Sequence, residues 1–301
     1  MSIQDKIHIT EVAPRDGFQI LPGLIPLDEK LDFIQGLIDA GCAEIEAASF
    51  VNPRWVPQMK DSGALCGHFL NQDKTIMTYL IPNLHGAHLA IEAGAKQFFL
   101  TTSASEKHSK ENLNQTIEEA LHGAKKVAEL AKQHSVIYTA SIATAFGYAK
   151  DPMSVPAERV YMMLESLTKA GFSSIVLCDT SGDANPDYVF ELCSKAMEIT
   201  PLPLGIHLHQ ANGIEFANAY AAFKAGIRIF EAAAGGMGGC PFVKNAKGNI
   251  ATELLAGMFH SMGYDTGIDL ERLRQCAQQA KHILEQYGVS ENVDDSYAEN
   301  E

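Results

Sequence analysis

The sequence predicts a single closed (β/α)8 TIM barrel with an extra helical segment at its C-terminal end. Three observations predict it. Short apolar runs rich in strand formers alternate eight times with longer stretches of helical period. Ala-Gly pairs recur shortly before strands, at Ala40-Gly41, Ala93-Gly94, Ala170-Gly171 and Ala225-Gly226. Polar and charged residues gather where the apolar runs end, and that is where a parallel barrel carries chemistry.

In chain order the expected strands are residues 7–12, 44–50, 75–81, 97–102, 136–143, 174–179, 204–209 and 228–233. Each is short, apolar and rich in β-branched or aromatic residues, as a strand buried on both faces must be. The helical patterns between them cover residues 27–40, 85–93, 112–134, 157–170, 186–199 and 213–225. A glycine just past a helix supplies the left-handed cap that turns the chain into the next strand, so the Ala-Gly pairs are punctuation between βα units. A further helix over residues 270–287 is expected to pack outside the barrel. No linker or low-complexity tract divides residues 1–289, which read as one domain, and the acidic, polar residues 290–301 read as a disordered tail.

Bulk properties remove several function classes. The chain has 301 residues, 46% hydrophobic and 20% charged, with a formal net charge of −14. An acidic surface argues against general binding of nucleic acid or of an anionic membrane, since both need a basic field. It leaves an anionic small-molecule substrate open, because only the potential in the cleft matters there. No run of about 20 apolar residues exists to span a bilayer. The polar start, and an apolar run over residues 7–12 too short for a targeting core, give no signal peptide. The six cysteines, Cys42, Cys66, Cys178, Cys193, Cys240 and Cys276, form no CxxC pair. Reduced thiols and a cytoplasmic location follow as the expectation.

The strand ends carry the candidate chemistry. After the first strand, Arg15-Asp16-Gly17 places a cation and an anion at the barrel mouth, although Asp-Gly equally suits a local ion pair or turn. Glu46, between Ile45 and Ala47, points inward by alternation and needs a buried partner, for which Arg15 is the natural candidate. Ser49 follows it. Asp179 ends the sixth strand as a helix cap, a turn residue, a base or a supporting carboxylate. His207 and His209, two apart on one strand, project from one face; alone this is a weak metal signal, strengthened by Asp16 close by on the barrel ring. Beyond the eighth strand, four glycines flank Cys240, the one cysteine in a polar, mobile setting. Asn249 starts a helical pattern and would ordinarily be its N-cap, but its amide oxygen could complete a ligand set. Asp16, two histidines and an Asn oxygen form a hard, mixed N/O site suited to Mg²⁺ or Mn²⁺ and unlike a structural zinc site.

Several segments together resemble the 3-hydroxy-3-methylglutaryl-CoA lyase family of metal-dependent barrels. They are residues 11–19 (EVAPRDGFQ), 48–59 (ASFVNPRWVPQM), 103–112 (SASEKHSKEN), 179–182 (DTSG), 207–209 (HLH) and 234–253 (AGGMGGCPFVKNAKGNIATE). The resemblance implies a lyase that cleaves a 3-hydroxyacyl-CoA by a retro-Claisen step into acetyl-CoA and a keto acid. It implies Asp16, His207, His209 and Asn249 as ligands of a divalent cation. It implies Arg15 as the stabiliser of the enolate oxygen, Glu46 as the holder of Arg15, and Gln19 as a substrate or supporting contact. Cys240 would then transfer a proton from the closing loop, with Asp179 supporting the base function and His207 serving catalysis as well as the metal. Lys107 and Lys110, with Arg54 and Lys150, are candidate partners for the CoA phosphates. A homodimer or larger homo-oligomer is implied too.

The chain departs from the family pattern at Ile20-Leu21, at Tyr148-Ala149-Lys150 and at Gln210. Those departures leave the reaction type as implied and the acyl group open. The alternatives are a lyase for another 3-hydroxyacyl-CoA, a Claisen-type synthase and a non-catalytic barrel. The Gly-Gly-Cys-Pro loop speaks against the synthase. The costly cluster of polar groups at one mouth speaks against the scaffold.

Overall fold

All eight apolar runs are strands in the structure, a computed structural model that describes residues 6–148, 154–211, 213–238 and 248–288. They are β1 (His8–Glu11), β2 (Glu44–Ser49), β3 (Ile76–Ile81), β4 (Gln97–Ser103), β5 (Ile137–Ala143), β6 (Ile175–Asp179), β7 (Leu204–Leu208) and β8 (Ile229–Ala232). Each pairs in parallel with its neighbour in sequence, and β8 closes onto β1. Closure removes both sheet edges. The register fixes which residues share a level inside the barrel: Cys178 pairs with His207, His207 with Glu231, and Glu231 with Thr10. On β2 the pairing to β3 shifts between Glu46 and Ala48, a bulge that re-aims the chain beside Glu46.

The outer layer comprises α1 (Leu27–Asp39), α2 (Ser62–His68), α3 (Leu84–Glu92), the single turn α4 (Glu106–His108), α5 (Ile117–Gln133), α6 (Ala157–Ala170), α7 (Pro186–Ile199), α8 (Ile214–Ala225), α9 (Thr252–Ser261) and α10 (Leu270–Tyr287). As the sequence required, α10 lies outside the strands, against α1 and α9. Gly41, Gly94, Gly171 and Gly226 all have φ between +85° and +111°, the left-handed region that a cap before a strand needs. Between strands and helices the core is apolar and rich in aromatic rings, with Phe98, Phe146, Phe172, Phe230 and Phe259 fully buried. Cys42, Cys66, Cys178, Cys193 and Cys276 are buried free thiols. No helix among the described residues is long and apolar enough to cross a membrane.

Two helix starts differ from the sequence expectation. The helical period begins at residue 112, but Asn114 is left-handed at φ +53° and α5 starts only at Ile117, behind a Thr116–Glu119 capping box. The short polar stretch is spent on a turn, because a complete cap at Thr116 satisfies the first amides better than a continued helix would. Asn249 is no N-cap: α9 begins at Thr252, and Asn249 forms an isolated antiparallel bridge with His209. Helix α2 escaped sequence reading because Gly63 and Gly67 dilute its helical signal. The proposed tail, residues 290–301, lies outside the described residues.

Candidate active site at the barrel mouth

The chain leaves β1 in a tight π turn over Ala13–Gly17, with Asp16 N–H bonded to Val12 O at 2.7 Å. Pro14 fits there because the first amides of such a turn need no partner inside it. The turn brings Arg15 and Asp16 inward, 8% and 7% exposed. The Arg15 fork closes on Glu46: Nη2 donates to Oε2 at 2.7 Å and Nε to Oε1. Its remaining arm, Nη1, donates to Asp16 Oδ1 at 2.6 Å. The guanidinium lies 5.4 Å from the centroid of the Phe99 ring. Inward alternation on β2 and the need of a buried carboxylate for a cation thus meet in one bidentate pair.

Asp16 is held from three sides. Besides Arg15, Gln19 Nε2 donates to its Oδ1 at 2.8 Å and Asn249 Nδ2 to its Oδ2 at 2.7 Å. Asn249 Nδ2 also reaches Met237 O at 2.9 Å. The loop backbone passes so close that a Cβ on Gly238, at φ +107°, would stand 2.8 Å from Asp16 Oδ2 and closer still to Asn249 Nδ2. Glycine is required at that position for space as well as for conformation.

His207 and His209 converge from β7 and the bridge beyond it, with their Nε2 atoms 3.2 Å apart. His207 Nδ1 lies 2.8 Å from Glu231 Oε2. Asn249 Oδ1 is fully buried and has no hydrogen-bond partner among the described residues. Asp16, His207, His209 and Asn249 are therefore brought to one place, although no three His, Cys, Asp or Glu side chains among the described residues form a ready-made cage. Two facing ring nitrogens, an orphaned amide oxygen and a carboxylate suit a hard divalent cation that keeps open positions.

The charges agree with that donor set. Burial would raise the Asp16 carboxyl, but Arg15, His207 and His209 outweigh it and hold the carboxyl below the usual range. Burial pushes the Glu46 carboxyl up, and Arg15 opposes this by filling both oxygens with N–H donors, while Glu231 and Asp16 add to the rise. Burial would lower His207, yet Glu231 and Asp16 raise it above its ordinary value. Asp16, Glu46 and Glu231 thus gather round the guanidinium of Arg15 and the imidazole of His207.

The other sequence candidates are more scattered. Asp179 is fully buried, and its oxygens accept the amides of Asp183 at 3.0 Å and Ala184 at 3.2 Å, so it braces the turn after β6. Burial raises it to about 6. Ser49 is buried at the end of β2, its hydroxyl unpartnered among the described residues. Lys107 and Lys110 follow β4. Lys107 Nζ stands 4.0 Å from Glu111 and 6.0 Å from the centroid of the Tyr148 ring, largely in solvent. Arg54 is exposed after β2. Cys240 and Lys150 lie outside the described residues. Sequence reasoning missed Glu231, whose one signal was a carboxylate inside an apolar strand run, flanked by Phe230 and Ala232.

Comparison with known proteins gives a consistent picture. The HMGL-like family profile matches residues 6–279. A mitochondrial hydroxymethylglutaryl-CoA lyase of Arabidopsis thaliana is 36% identical over 268 residues, 89% of this chain; the chain spans 57% of that protein's length. An (R)-citramalyl-CoA lyase of Chloroflexus aurantiacus is 37% identical over 280 residues, covering 89% of this chain and 88% of that protein. The solved structure of an HMG-CoA lyase from Acinetobacter baumannii, in complex with coenzyme A and 3-methylmalate, superposes with a TM-score of 0.88 at 34% identity, covering 100% of this chain and 97% of that one.

Proposed function

The chain belongs to the HMGL-like family, and from that premise we propose that it is a divalent-metal-dependent carbon–carbon lyase that cleaves a 3-hydroxyacyl-CoA into acetyl-CoA and a keto acid. With 3-hydroxy-3-methylglutaryl-CoA the keto acid is acetoacetate. The observation that carries this reading is the convergence of Asp16, His207, His209 and Asn249 beside the Arg15–Glu46 pair, with Asn249 Oδ1 left without a partner among the described residues. Those four residues would hold the cation, Mg²⁺ or Mn²⁺, whose chemistry is to polarise the substrate hydroxyl and lower its pKa.

The chain's own residues account for the remaining steps. Asp179 supports removal of the hydroxyl proton. The C2–C3 bond then breaks, C3 becomes the ketone carbon, and the electron pair passes to the thioester as an enolate. Arg15, already oriented by Glu46, donates to that enolate oxygen, and an N–H aimed at developing charge in a dry site contributes most in the transition state. Cys240 returns a proton to C2 and gives acetyl-CoA. Gln19 holds Asp16 in place, and Lys107 and Lys110 are taken as the cations for the CoA phosphates. The same reading takes the protein as a cytoplasmic homo-oligomer.

A second substrate is favoured by a specific observation, the 37% identity to an (R)-citramalyl-CoA lyase. Citramalyl-CoA is one methylene shorter and yields pyruvate by the same bond cleavage. The test follows acetyl-CoA release from both thioesters by protein loaded with Mn²⁺ under reducing conditions. Metal-dependent turnover of either, on the order of 1–1,000 per second, is expected, and the faster thioester names the acyl group. Metal-loaded protein that cleaves neither thioester rules out both substrates.

A further inference from the structure

Glu231 enters the barrel from β8, and its carboxylate sits where no family-like motif of the sequence marks a functional residue. It is level with His207 across β7 and with Thr10 across β1. Oε2 lies 2.8 Å from His207 Nδ1, the two side chains being 15% and 8% exposed. A carboxylate oxygen only accepts, so Nδ1 carries a proton and Nε2 is the nitrogen left to bind a cation. That nitrogen faces His209 Nε2 at 3.2 Å. Arg15 makes its hydrogen bonds to Glu46 and Asp16, which leaves His207 as the hydrogen-bonding partner of Glu231.

We propose that Glu231 is a positioning residue: it locks His207 in the Nδ1–H tautomer, aims Nε2 at the bound cation, and adds negative charge beside the cation that tightens its binding. The proposal deepens the metal-site reading above and rests on it. A ligating imidazole is bare on one nitrogen and must be anchored on the other, and a carboxylate anchor both orients the ring and makes it a better donor. In a merely structural ion pair the tautomer would be incidental.

The test compares wild type with Glu231→Gln and Glu231→Leu by ¹⁵N NMR of histidine-labelled protein and by Mn²⁺ titration followed by electron paramagnetic resonance. Neither readout requires a thioester. Wild type is expected to show His207 as Nδ1–H. Glu231→Gln keeps an acceptor, so it retains the tautomer and weakens Mn²⁺ binding several-fold through the lost charge. Glu231→Leu loses the tautomer and weakens Mn²⁺ binding by about 10–100-fold. Should the Leu variant not fold, Glu231→Asp, which withdraws the carboxylate by one methylene, takes its place with the same expectation. An unchanged tautomer and Mn²⁺ affinity in the variant without the anchor overturn the proposal. Equal weakening in all variants with the tautomer unchanged also overturns the positioning role. Wild type that binds no Mn²⁺ overturns the cation half. Wild type that binds Mn²⁺ but cleaves no thioester overturns the proposed reaction, while the spectra still decide the role of Glu231.

Discussion

At the scale of single residues, the site is defined by which atoms already have partners. Asn249 commits its amide nitrogen to Asp16 and to Met237 O, and this fixes the direction of its unpartnered Oδ1. A buried acceptor without a partner costs roughly 1–3 kcal/mol, a cost that a bound cation would offset. Asn249→Ala removes both the oxygen and the donor that steadies Asp16. Its Mn²⁺ affinity is expected to fall by at least about tenfold, the scale on which losing a supporting contact already acts, and turnover should fall with it. Unaltered Mn²⁺ binding by Asn249→Ala would remove this residue from the ligand set. The residue types of the site were legible from strand ends and spacing: Asp16, His207 and His209 stood out as groups needing a common purpose. Glu231 was not legible, because a lone carboxylate in an apolar strand announces burial without naming its partner.

At the scale of elements, local chemistry decides where the helices begin. Thr116 Oγ1 accepts from Glu119 N–H at 3.1 Å, and Glu119 Oε2 accepts from Thr116 N–H at 2.8 Å. This reciprocal cap starts α5, which lies in the outer layer far along the chain from the proposed ligands. Thr116→Ala is expected to lower Tm by about 2 °C, the loss of one cap in a chain of this size, with turnover unchanged. A melt identical to wild type would show that α5 is held by packing alone. Strand positions and most helix bodies were readable because their apolar period is dictated by burial on both faces of the sheet. The starts of α5 and α9 were not, since a left-handed Asn114 and the Asn249 bridge to His209 answer to neighbours distant in sequence or to competition between two nearby turns.

At the scale of the whole molecule, Glu11 fastens the seam where the barrel closes. Its Oε1 accepts from Ala13 N–H at 2.9 Å and Ala234 N–H at 3.0 Å, and its Oε2 accepts from Thr252 Oγ1 at 2.7 Å. β1, the loop after β8 and the start of α9 are thereby joined through one carboxyl group. Burial raises Glu11 from 4.5 to about 7, against the pull of those donors, and Glu253 adds to the rise. The folded state therefore holds this proton more tightly than the unfolded chain does. The associated stability is fully present below pH 4.5 and is lost as pH rises through about 7. The expected loss is on the order of 3 kcal/mol, read as a falling urea midpoint across that window. Glu11→Gln should start less stable and show a flatter profile. Equal slopes in both proteins would place the pH dependence elsewhere.

The sequence by itself determined the closed parallel barrel, since eight apolar runs separated by helices and glycine caps have few other ways to bury themselves. It also determined the inward direction of Glu46 and the shared face of His207 and His209, because alternation along a strand is a local property. The tertiary structure alone decided the pairing of those groups. Strand register sets Glu231 beside His207, the π turn after β1 swings Arg15 onto Glu46, and the bridge from His209 to Asn249 carries an amide from the far end of the chain to Asp16. Each contact joins segments far apart in sequence, and which atoms meet depends on barrel closure, which no local pattern encodes.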